Sequence, residues 1–356
     1  MVVPVSSPAR PTYFKSLDGL RALSVIAVVW HHARPLGTDS VLQTRGFLGV
    51  DVFFVISGFL ITHLMLRERE QHGRFQLAKF WVRRALRLWP LWFAILAVLS
   101  FLFLSVLPDA PMAAAFWNDL PWNATYTSNL IVPGTFLALS WSLALEEQFY
   151  LLWPLVWSKV QSAAAPLLLF LGGISVGIHL GLFDALLLEW FGPRGSQAFA
   201  LRATVLPLVL GCALALAPHW TARLARPFLA PLWLALLIGI ASLGEPVTAG
   251  QMQLAAQLAS AGLVASCVGP VGPKWLSVAP LRWVGERAYG VYLLHIFCLQ
   301  LLPIVGSHTL PTGEAWARGE RGLGAFVFVV ATSLVAAGLS YRFLERPFLR
   351  VKDRFR

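Results

Sequence analysis

Residues 17–32 read LDGLRALSVIAVVWHH, an apolar run that carries ionisable groups near both ends. An ionisable side chain costs roughly 2.5–3.5 kcal/mol at the centre of a membrane-spanning helix, so such residues mark functional positions by default. At about 100° per residue, Arg21 and His32 lie within about 20° of each other around a helix and about 16 Å apart along it. His31 points about 100° away. The run therefore predicts a membrane helix with Asp18, Arg21 and His32 on one inward face.

The composition of the chain is that of a membrane protein. Of its 356 residues, 57% are hydrophobic and 13% are charged, against about 45–50% and about 25% in soluble domains. The net charge of +11 is explained by the Lys and Arg that membrane proteins carry in cytoplasmic loops, so no nucleic-acid partner is expected. The first sixteen residues are polar and no small-residue cleavage site follows, which indicates that the first apolar run is kept as a helix.

Further apolar runs of spanning length follow along the chain. We predict an all-α integral membrane protein with a single bundle of about ten transmembrane helices in the lipid bilayer. The bundle occupies residues 17–345, between an N-terminal tail (1–16) and a basic C-terminal tail (346–356). The predicted spans are 17–37, 47–66, 88–107, 141–158, 164–183, 200–217, 228–243, 252–269, 288–305 and 323–343.

The distribution of basic residues predicts the orientation of the bundle. If the spans alternate in direction, only six of the 28 Lys and Arg residues lie on the side opposite to the termini. The excess on the other side makes both termini cytoplasmic, because cytoplasmic loops are the basic ones. The six residues are Arg34, Arg45, Arg194, Arg202, Arg318 and Arg321. Consistently, the longest predicted outer loop, 108–140, carries neither Lys nor Arg.

The second predicted span contains two polar residues, Asp51 in its outer part and Ser57 near its middle. A carboxylate at membrane depth needs a partner, and a histidine or an arginine of the first helix would supply one. Ser57 has two interpretations. Together with Gly58 it forms a small-residue contact between helices, or it lines a site.

Charged residues near two other spans are candidates as well. Arg84 and Arg87 stand at positions i and i+3, so they lie on one helical face. Two guanidinium groups at a membrane surface suit a phosphorylated ligand, and they equally suit an anchor that snorkels to the interface. In the fourth span, adjacent glutamates point about 100° apart. At most one of Glu146 and Glu147 therefore shares a site with His32.

The remaining polar patterns have structural explanations. Tyr289, Tyr292 and His295 recur every three residues in the ninth span, as an aromatic belt with a hydrogen-bonded histidine or as part of a site. The three cysteines lack metal-ligand spacing, and His-Glu-x-x-His, Walker and Gly-x-Ser-x-Gly motifs are missing. We expect no metal. An enzyme of this sequence would work with membrane-embedded histidine, arginine and carboxylates.

Taken in order, these motifs resemble those of the acyltransferase type 3 family of membrane proteins. Its Arg-x10-His signature matches Arg21 and His32, and its second motif matches Arg84-x-x-Arg87. The resemblance extends over about 13–348. Its other blocks are GVDVFFVISGF (49–59), WSL (141–143) with Glu146, YLLH (292–295) and SYRFLERP (340–347).

The resemblance implies a multi-pass protein of the bacterial inner membrane that transfers an acyl group to a hydroxyl of a carbohydrate or glycoside acceptor. The donor it implies is acetyl-CoA or another acyl-CoA. It also implies that Arg21 and His32 form the essential pair, with Arg84 and Arg87 as a second functional motif. Some members carry an additional extracytoplasmic esterase-like domain, which we do not expect in this chain.

These considerations lead to a hypothesis about the site. His32 acts either as general base on the acceptor hydroxyl or as a transient acyl carrier, and Asp51 or Glu146 holds its tautomer. The rival hypothesis is a transporter or flippase for a glycan or small solute, in which the same polar residues line a path. The residues assigned are His32, Arg21, Asp51 and Glu146 for catalysis and Arg84, Arg87 and Ser57 for binding the donor.

Overall fold

The computed structural model describes residues 13–34, 44–131, 134, 136–192, 205–243, 249–309, 322–352 and 355. Within these residues the chain forms helices and turns and no strand, so the all-α prediction is confirmed. The helices are α1 (Lys15–Ala33), α2 (Leu48–His72), α3 (Leu77–Phe101), α4 (Ala113–Ala124), α5 (Ser140–Lys159), α6 (Ala164–His179), α7 (Leu206–Leu216), α8 (Pro218–Leu224), α9 (Ala230–Ala241), α10 (Ala249–Cys267), α11 (Ala279–Glu286), α12 (Ala288–Thr309), α13 (Leu323–Ser340) and α14 (Arg346–Lys352).

The described helices include candidate membrane spans. Four are long and apolar enough to cross a bilayer, namely Leu48–His72, Leu77–Val106, Gln161–His179 and Leu323–Val351. A fifth results if Pro218–Leu224 and Pro227–Ala241, which meet at 60°, count as one broken span. Each of the ten predicted runs contains a helix, whereas the number of spans and the orientation of the termini stay predictions.

The helix predicted from the opening run, α1, is the one around which its neighbours pack. Most of its side chains are buried, and α2, α11, α12 and α13 lie against it. Two of these contacts need glycine. A Cβ on Gly49 of α2 would overlap the carbonyl oxygen of Ser24, and a Cβ on Gly285 of α11 would overlap that of Asp18. The first helix is therefore enclosed by protein, which is where ionisable residues at membrane depth belong.

The two faces of α2 separate the neighbouring residues Ser57 and Gly58. Gly58 packs against α7, where a Cβ would overlap the carbonyl oxygen of Leu208, and Gly211 of α7 approaches α2 as closely. The small-residue contact therefore belongs to Gly58. Ser57 points toward α5 instead, where it forms hydrogen bonds.

The segment predicted as a long outer loop, 108–140, contains folded structure. It forms α4, whose Phe116 packs against Phe103 in the helical turn that follows α3. Buried hydrogen bonds join it to its neighbours: the indole of Trp92 donates to the carbonyl of Asn123 (3.1 Å), and Ser140 Oγ donates to Asn123 Oδ1 (2.7 Å). The connection between these two predicted spans thus includes a helix, which forms where alanine and aromatic side chains pack against a neighbouring helix.

Candidate active site

A narrow cavity, which we call the inner cavity, lies between α1, α2, α3, α5 and α12. Its volume is about 100 Å³. Five of the seven predicted site residues line it, although they come from four different helices. Those five are Arg21, Ser57, Arg84, Arg87 and Glu146, and the other polar lining residues are Ser142, Tyr150, Tyr289 and Tyr292.

Ser57, Glu146 and Tyr150 form a hydrogen-bonded group in the wall of this cavity. Ser57 Oγ donates to Glu146 Oε1 at 2.6 Å. The Tyr150 hydroxyl lies 3.0 Å from Ser57 Oγ, and because the single proton of Ser57 is used toward Glu146, Tyr150 is the donor in this contact. The guanidinium carbon of Arg84 lies 5.3 Å from the centre of the Tyr150 ring, within the range of a cation–π interaction. The carboxylate thus faces positive charge from Arg84.

Arg21 is held from the other side by an acidic residue one turn before it. Arg21 Nη1 donates to Asp18 Oδ1 at 3.1 Å, and Asp18 Oδ2 accepts a hydrogen bond from the hydroxyl of Tyr13. Partial burial and the hydrogen bond to Asp18 raise the pKa of Tyr13 above its ordinary value, so Tyr13 stays a neutral donor. The guanidinium carbon of Arg282 lies 5.9 Å from the centre of the Tyr13 ring. This network fixes the direction of the Arg21 side chain.

Two larger cavities adjoin the inner cavity. The first, which we call the basic vestibule, has a volume of about 710 Å³ and lies between the end of α2 and the start of α3. The second has a volume of about 520 Å³ and is lined by parts of α1, α2, α3, α11 and α12 and by Tyr341, Glu345 and Leu349. Arg84 and Arg87 line all three cavities. They stand at the junction, where a ligand bound in one space can extend into another.

The basic vestibule is strongly positive. Its single described acidic lining residue, Glu68, accepts a hydrogen bond from Arg83 Nη2 at 3.1 Å and another from the backbone of Gln76 at 2.8 Å. The Glu68 carboxylate thus neutralises one arginine, and the remaining positive charge of the vestibule favours binding of an anion. The basic side chains that line this space are Arg67, Lys79, Arg83, Arg84 and Arg87.

His32 lies on the inward face of α1 but is not among the described lining residues of the inner cavity. Its Nδ1 is 3.0 Å from the carbonyl oxygen of Val28 and 3.2 Å from Nε2 of His295 on α12. His295 Nδ1 is in turn 2.6 Å from the carbonyl oxygen of Tyr292, whose ring lies 6.0 Å from that of His295. Tyr292 therefore borders both the inner cavity and the histidine pair. Helical phase distinguishes His31, whose ring packs against Phe47 at 5.8 Å.

Asp51 lies elsewhere. Its Oδ1 accepts a hydrogen bond from Nε2 of Gln257 on α10 at 3.2 Å, and the residue is buried there. The expectation that Asp51 pairs with a residue of the first helix was wrong, because Asp51 faces α10. Ser57, which lines the inner cavity, is six positions further along α2 and points about 120° away. The expectation that Asp51 or Glu146 holds the His32 ring also differs from the structure, in which His295 contacts Nδ1.

Sequence reasoning underrated two groups of residues. Ser142, Glu146 and Tyr150 recur every four positions on α5, so the spacing already placed them on one helical face. The spacing of His295 allows two interpretations, and only the packing of α12 on α1 shows that it contacts His32. Glu147 points away from the site, where its Oε2 accepts a hydrogen bond from the indole of Trp89 at 3.2 Å, as helical phase predicted for one of the two glutamates.

The described residues do not include a group of three or more His, Cys, Asp or Glu side chains arranged to hold a metal ion. The polar groups that the cavities do present are guanidinium, hydroxyl, carboxylate and imidazole. This set can bind phosphate, polarise a carbonyl and accept a proton, which are the operations that acyl transfer to a hydroxyl needs.

Comparison with known proteins agrees with the sequence motifs. The profile of the family described as the acyltransferase domain matches residues 14–342. A peptidoglycan O-acetyltransferase OatA of Listeria monocytogenes is 30% identical over 94% of this chain and 56% of its own length. An O-acetyltransferase OatA of Staphylococcus aureus is 30% identical over 95% of this chain and 57% of its own length. The chain thus spans a little over half the length of these relatives.

No solved structure matches the chain significantly. The family match covers nearly the whole sequence, including every residue assigned to the site, and it confirms the resemblance on which those assignments depend. The chain is a helical membrane protein that belongs to the acyltransferase domain family.

Proposed function

We propose that this chain is a membrane-embedded O-acetyltransferase that moves an acetyl group from acetyl-CoA to a hydroxyl of a cell-wall glycan. The observation that carries the proposal is the position of Arg84 and Arg87, which line both the basic vestibule and the narrow inner cavity. The named activity of the relatives supports the acceptor class, since the Listeria protein is called a peptidoglycan O-acetyltransferase.

The donor would occupy two of the three spaces. The vestibule volume of about 710 Å³ lies in the range of small-molecule sites, and its basic lining suits the diphosphate and 3′-phosphate of CoA. The inner cavity, at about 100 Å³, admits only a thin chain such as the pantetheine arm. Ser57 and Glu146 in its wall would bind the polar groups of that arm. Arg21 would hold part of the cofactor at the vestibule side, and the thioester would extend past it toward His32.

His32 would then act on the acceptor. A neutral His32 takes the proton of the acceptor hydroxyl, the hydroxyl oxygen attacks the thioester carbonyl carbon, and the carbon–sulfur bond breaks. The CoA sulfur leaves as a thiolate and receives the proton from His32, so the acetyl ester and free CoA are the products. A transient acetyl-His32 remains the alternative form of the same chemistry. For Asp51, the hydrogen bond to Gln257 favours a role in packing α2 against α10.

The proposed location follows from the relatives and the charge distribution. A peptidoglycan acceptor lies outside the bacterial plasma membrane, whereas acetyl-CoA is a cytoplasmic metabolite. The positive-inside rule supports a cytoplasmic position for both termini and, with them, for the basic vestibule. His32 is about 16 Å further along α1 than Arg21, in the direction of the outer face.

The test uses the full chain in proteoliposomes with acetyl-CoA labelled in the acetyl group and soluble peptidoglycan fragments as acceptor. The expected result is a labelled, base-labile ester on the fragment that the His32→Ala variant does not form. Uptake of a solute or a fragment without covalent change would instead support a transporter and contradict the proposal. Release of label without ester formation would reject the acceptor class while retaining donor binding.

A further inference from the structure

His295 is a fully buried histidine whose protonation is fixed by its own helix. Its Nδ1 lies 2.6 Å from the carbonyl oxygen of Tyr292 and 3.2 Å from that of Val291. A carbonyl oxygen only accepts hydrogen bonds, so Nδ1 carries the proton. A neutral imidazole has one N–H group, which leaves Nε2 of His295 as an acceptor.

That acceptor nitrogen is aimed at His32. Nδ1 of His32 lies 3.2 Å from His295 Nε2 and 3.0 Å from the carbonyl oxygen of Val28. Both neighbours accept, so the proton of a neutral His32 sits on Nδ1, and Nε2 has the lone pair. In the opposite tautomer, the lone pair of His32 Nδ1 would face the lone pairs of both neighbours. That arrangement is repulsive, since neither could supply a proton.

The helices that carry the two histidines pack through apolar side chains. The packing of α1 against α12 and α13 buries Val25, Val29 and Val291, which lie one or two helical turns before the histidines. The titratable group nearest in the chain is His31, whose ring centre is 4.9 Å from that of His32. The polar contact between α1 and α12 thus joins imidazoles and carbonyl groups, in contrast to the charged groups near Arg21.

We propose that His295 is a positioning residue that holds His32 with its proton on Nδ1 and its lone pair on Nε2, so that Nε2 is the atom that takes the acceptor proton. When Nε2 receives that proton, His32 becomes a cation whose Nδ1–H still donates to His295 and to Val28. A hydrogen bond from a charged donor is stronger than one from a neutral donor. His295 thus orients the base and stabilises the charge, as the third member of a catalytic triad does.

Tyr292 connects this pair to the inner cavity. Its carbonyl oxygen accepts the proton of His295 Nδ1, while its hydroxyl, at the cavity wall, lies 2.5 Å from Ser142 Oγ and donates to the carbonyl of Leu139 at 3.0 Å. The residue that anchors His295 is therefore itself anchored to α5. Tyr292 thus contacts both the inner cavity and the histidine that would hold His32.

Two substitutions of similar size test the positioning role. In His295→Gln, the side-chain oxygen can accept from His32 at the place of Nε2; in His295→Met, a chain of similar length offers only a weak acceptor. We expect the Met variant to lower kcat by roughly 100-fold, the lower end of what a general base contributes, with KM for acetyl-CoA unchanged. The Gln variant should recover most of that loss. Equal rates for the two variants, or a loss that appears in KM alone, would overturn the proposal.

A second measurement reads the tautomer without relying on activity. The protein is labelled with 15N in its histidine rings, reconstituted in lipid and studied by solid-state NMR, where protonated and unprotonated ring nitrogens resonate far apart. Comparison with His32→Asn assigns the signals of His32. We expect a protonated Nδ1 and an unprotonated Nε2 in the native protein, and a population with the proton on Nε2 in His295→Met.

The two measurements separate this proposal from the proposed function, on which its catalytic part rests. A proton on Nε2 of His32 in the native protein refutes the tautomer whether or not the chain transfers acetyl groups. If the tautomer is as expected but His295→Met transfers acetyl at the native rate, the positioning role is refuted. If the native protein transfers no acetyl group at all, the proposed function fails, and the spectra still decide the tautomer.

Discussion

The two ends of α1 hold ionisable residues in opposite ways. Arg21 lies at the junction of two cavities, paired with Asp18 and near Arg84, Arg87 and Glu146. His32 lies where helices pack closely, and the partners seen for its Nδ1 are a carbonyl oxygen and a second imidazole. A permanent cation needs water or counter-charge, whereas a base must be able to stay neutral. In the proposed function, one helix would supply a place for an anionic donor and, three turns away, a place for proton transfer.

The largest expected effect is on the rate of acetyl transfer, at the His32 end of α1. His32→Ala removes the proposed base, so acetyl transfer should fall by about 10²–10⁴-fold while acetyl-CoA still binds. Transfer in proteoliposomes and acetyl-CoA binding by calorimetry measure the two quantities. His31→Ala is the matched control, because the side chain of His31 points about 100° away from that of His32 around α1. This variant should keep near-native transfer. Comparable losses in both variants would remove the distinction based on helical phase.

Substitutions near the Arg21 end of α1 should weaken donor binding instead of the transfer step. A hydrogen bond to a charged group contributes roughly 1.5–3 kcal/mol, so loss of both Arg84 and Arg87 to alanine should weaken acetyl-CoA binding by at least about 100-fold. Arg69→Ala is the control. Arg69 lies at the end of α2 that borders the basic vestibule but is not a described lining residue of the three cavities. Unchanged affinity in the double variant would return the two arginines to an anchoring role.

The close contact between α1 and α11 gives a smaller expected effect, on the stability of the protein. In Gly285→Ala the new Cβ overlaps the carbonyl oxygen of Asp18, and overpacking of this kind costs about 1–3 kcal/mol. Thermal unfolding in detergent should show a lower Tm. Gly173→Ala in α6 is the control, because the space around its Cβ is open and alanine is the better helix former. A Tm equal to that of the control would contradict the close packing of α1 and α11.

The smallest effect is expected at the carboxylate that the structure separates from the site. Asp51→Asn keeps an oxygen for Gln257, so its stability should change by under about 1 kcal/mol and its transfer rate should stay near native. Glu146→Gln removes a negative charge that faces Arg84 in the inner cavity, so it should lower transfer more. Parallel rate measurements compare the two amides. A greater loss at Asp51 than at Glu146 would restore Asp51 to the catalytic group.

Local periodicity accounts for much of the candidate site. The phase of α1 placed His32, and not His31, on the face of Arg21, and spacing placed Arg84 and Arg87 together, because both arguments involve one helix only. The partner of Asp51 lies 206 positions along the chain, on a helix whose neighbours no local pattern reveals. The same limit applies to His295, which is 263 positions from His32. Contacts between helices depend on packing, which the spacing of residues within one helix does not encode.

The bundle itself was predictable in class but not in detail. Hydrophobic runs located the helices, because backbone groups in lipid must bond within their own segment. The folded segment around α4 escaped this reasoning, since its stability comes from Phe116 packing on Phe103 and from the bonds of Asn123, not from hydrophobic length.

The backbone contacts of α1 also decide which part of the system supplies motion. Where glycines let α2 and α11 touch the carbonyls of Ser24 and Asp18, a helix can neither slide nor roll without collision. Rocking of one half against the other, the usual way to carry cargo across a bilayer, would have to break these contacts. A long, flexible donor needs no such movement. With the phosphates bound near the Arg21 end of α1, the flexible arm of the donor would reach toward His32. The donor would then move while the packed helices stay in place.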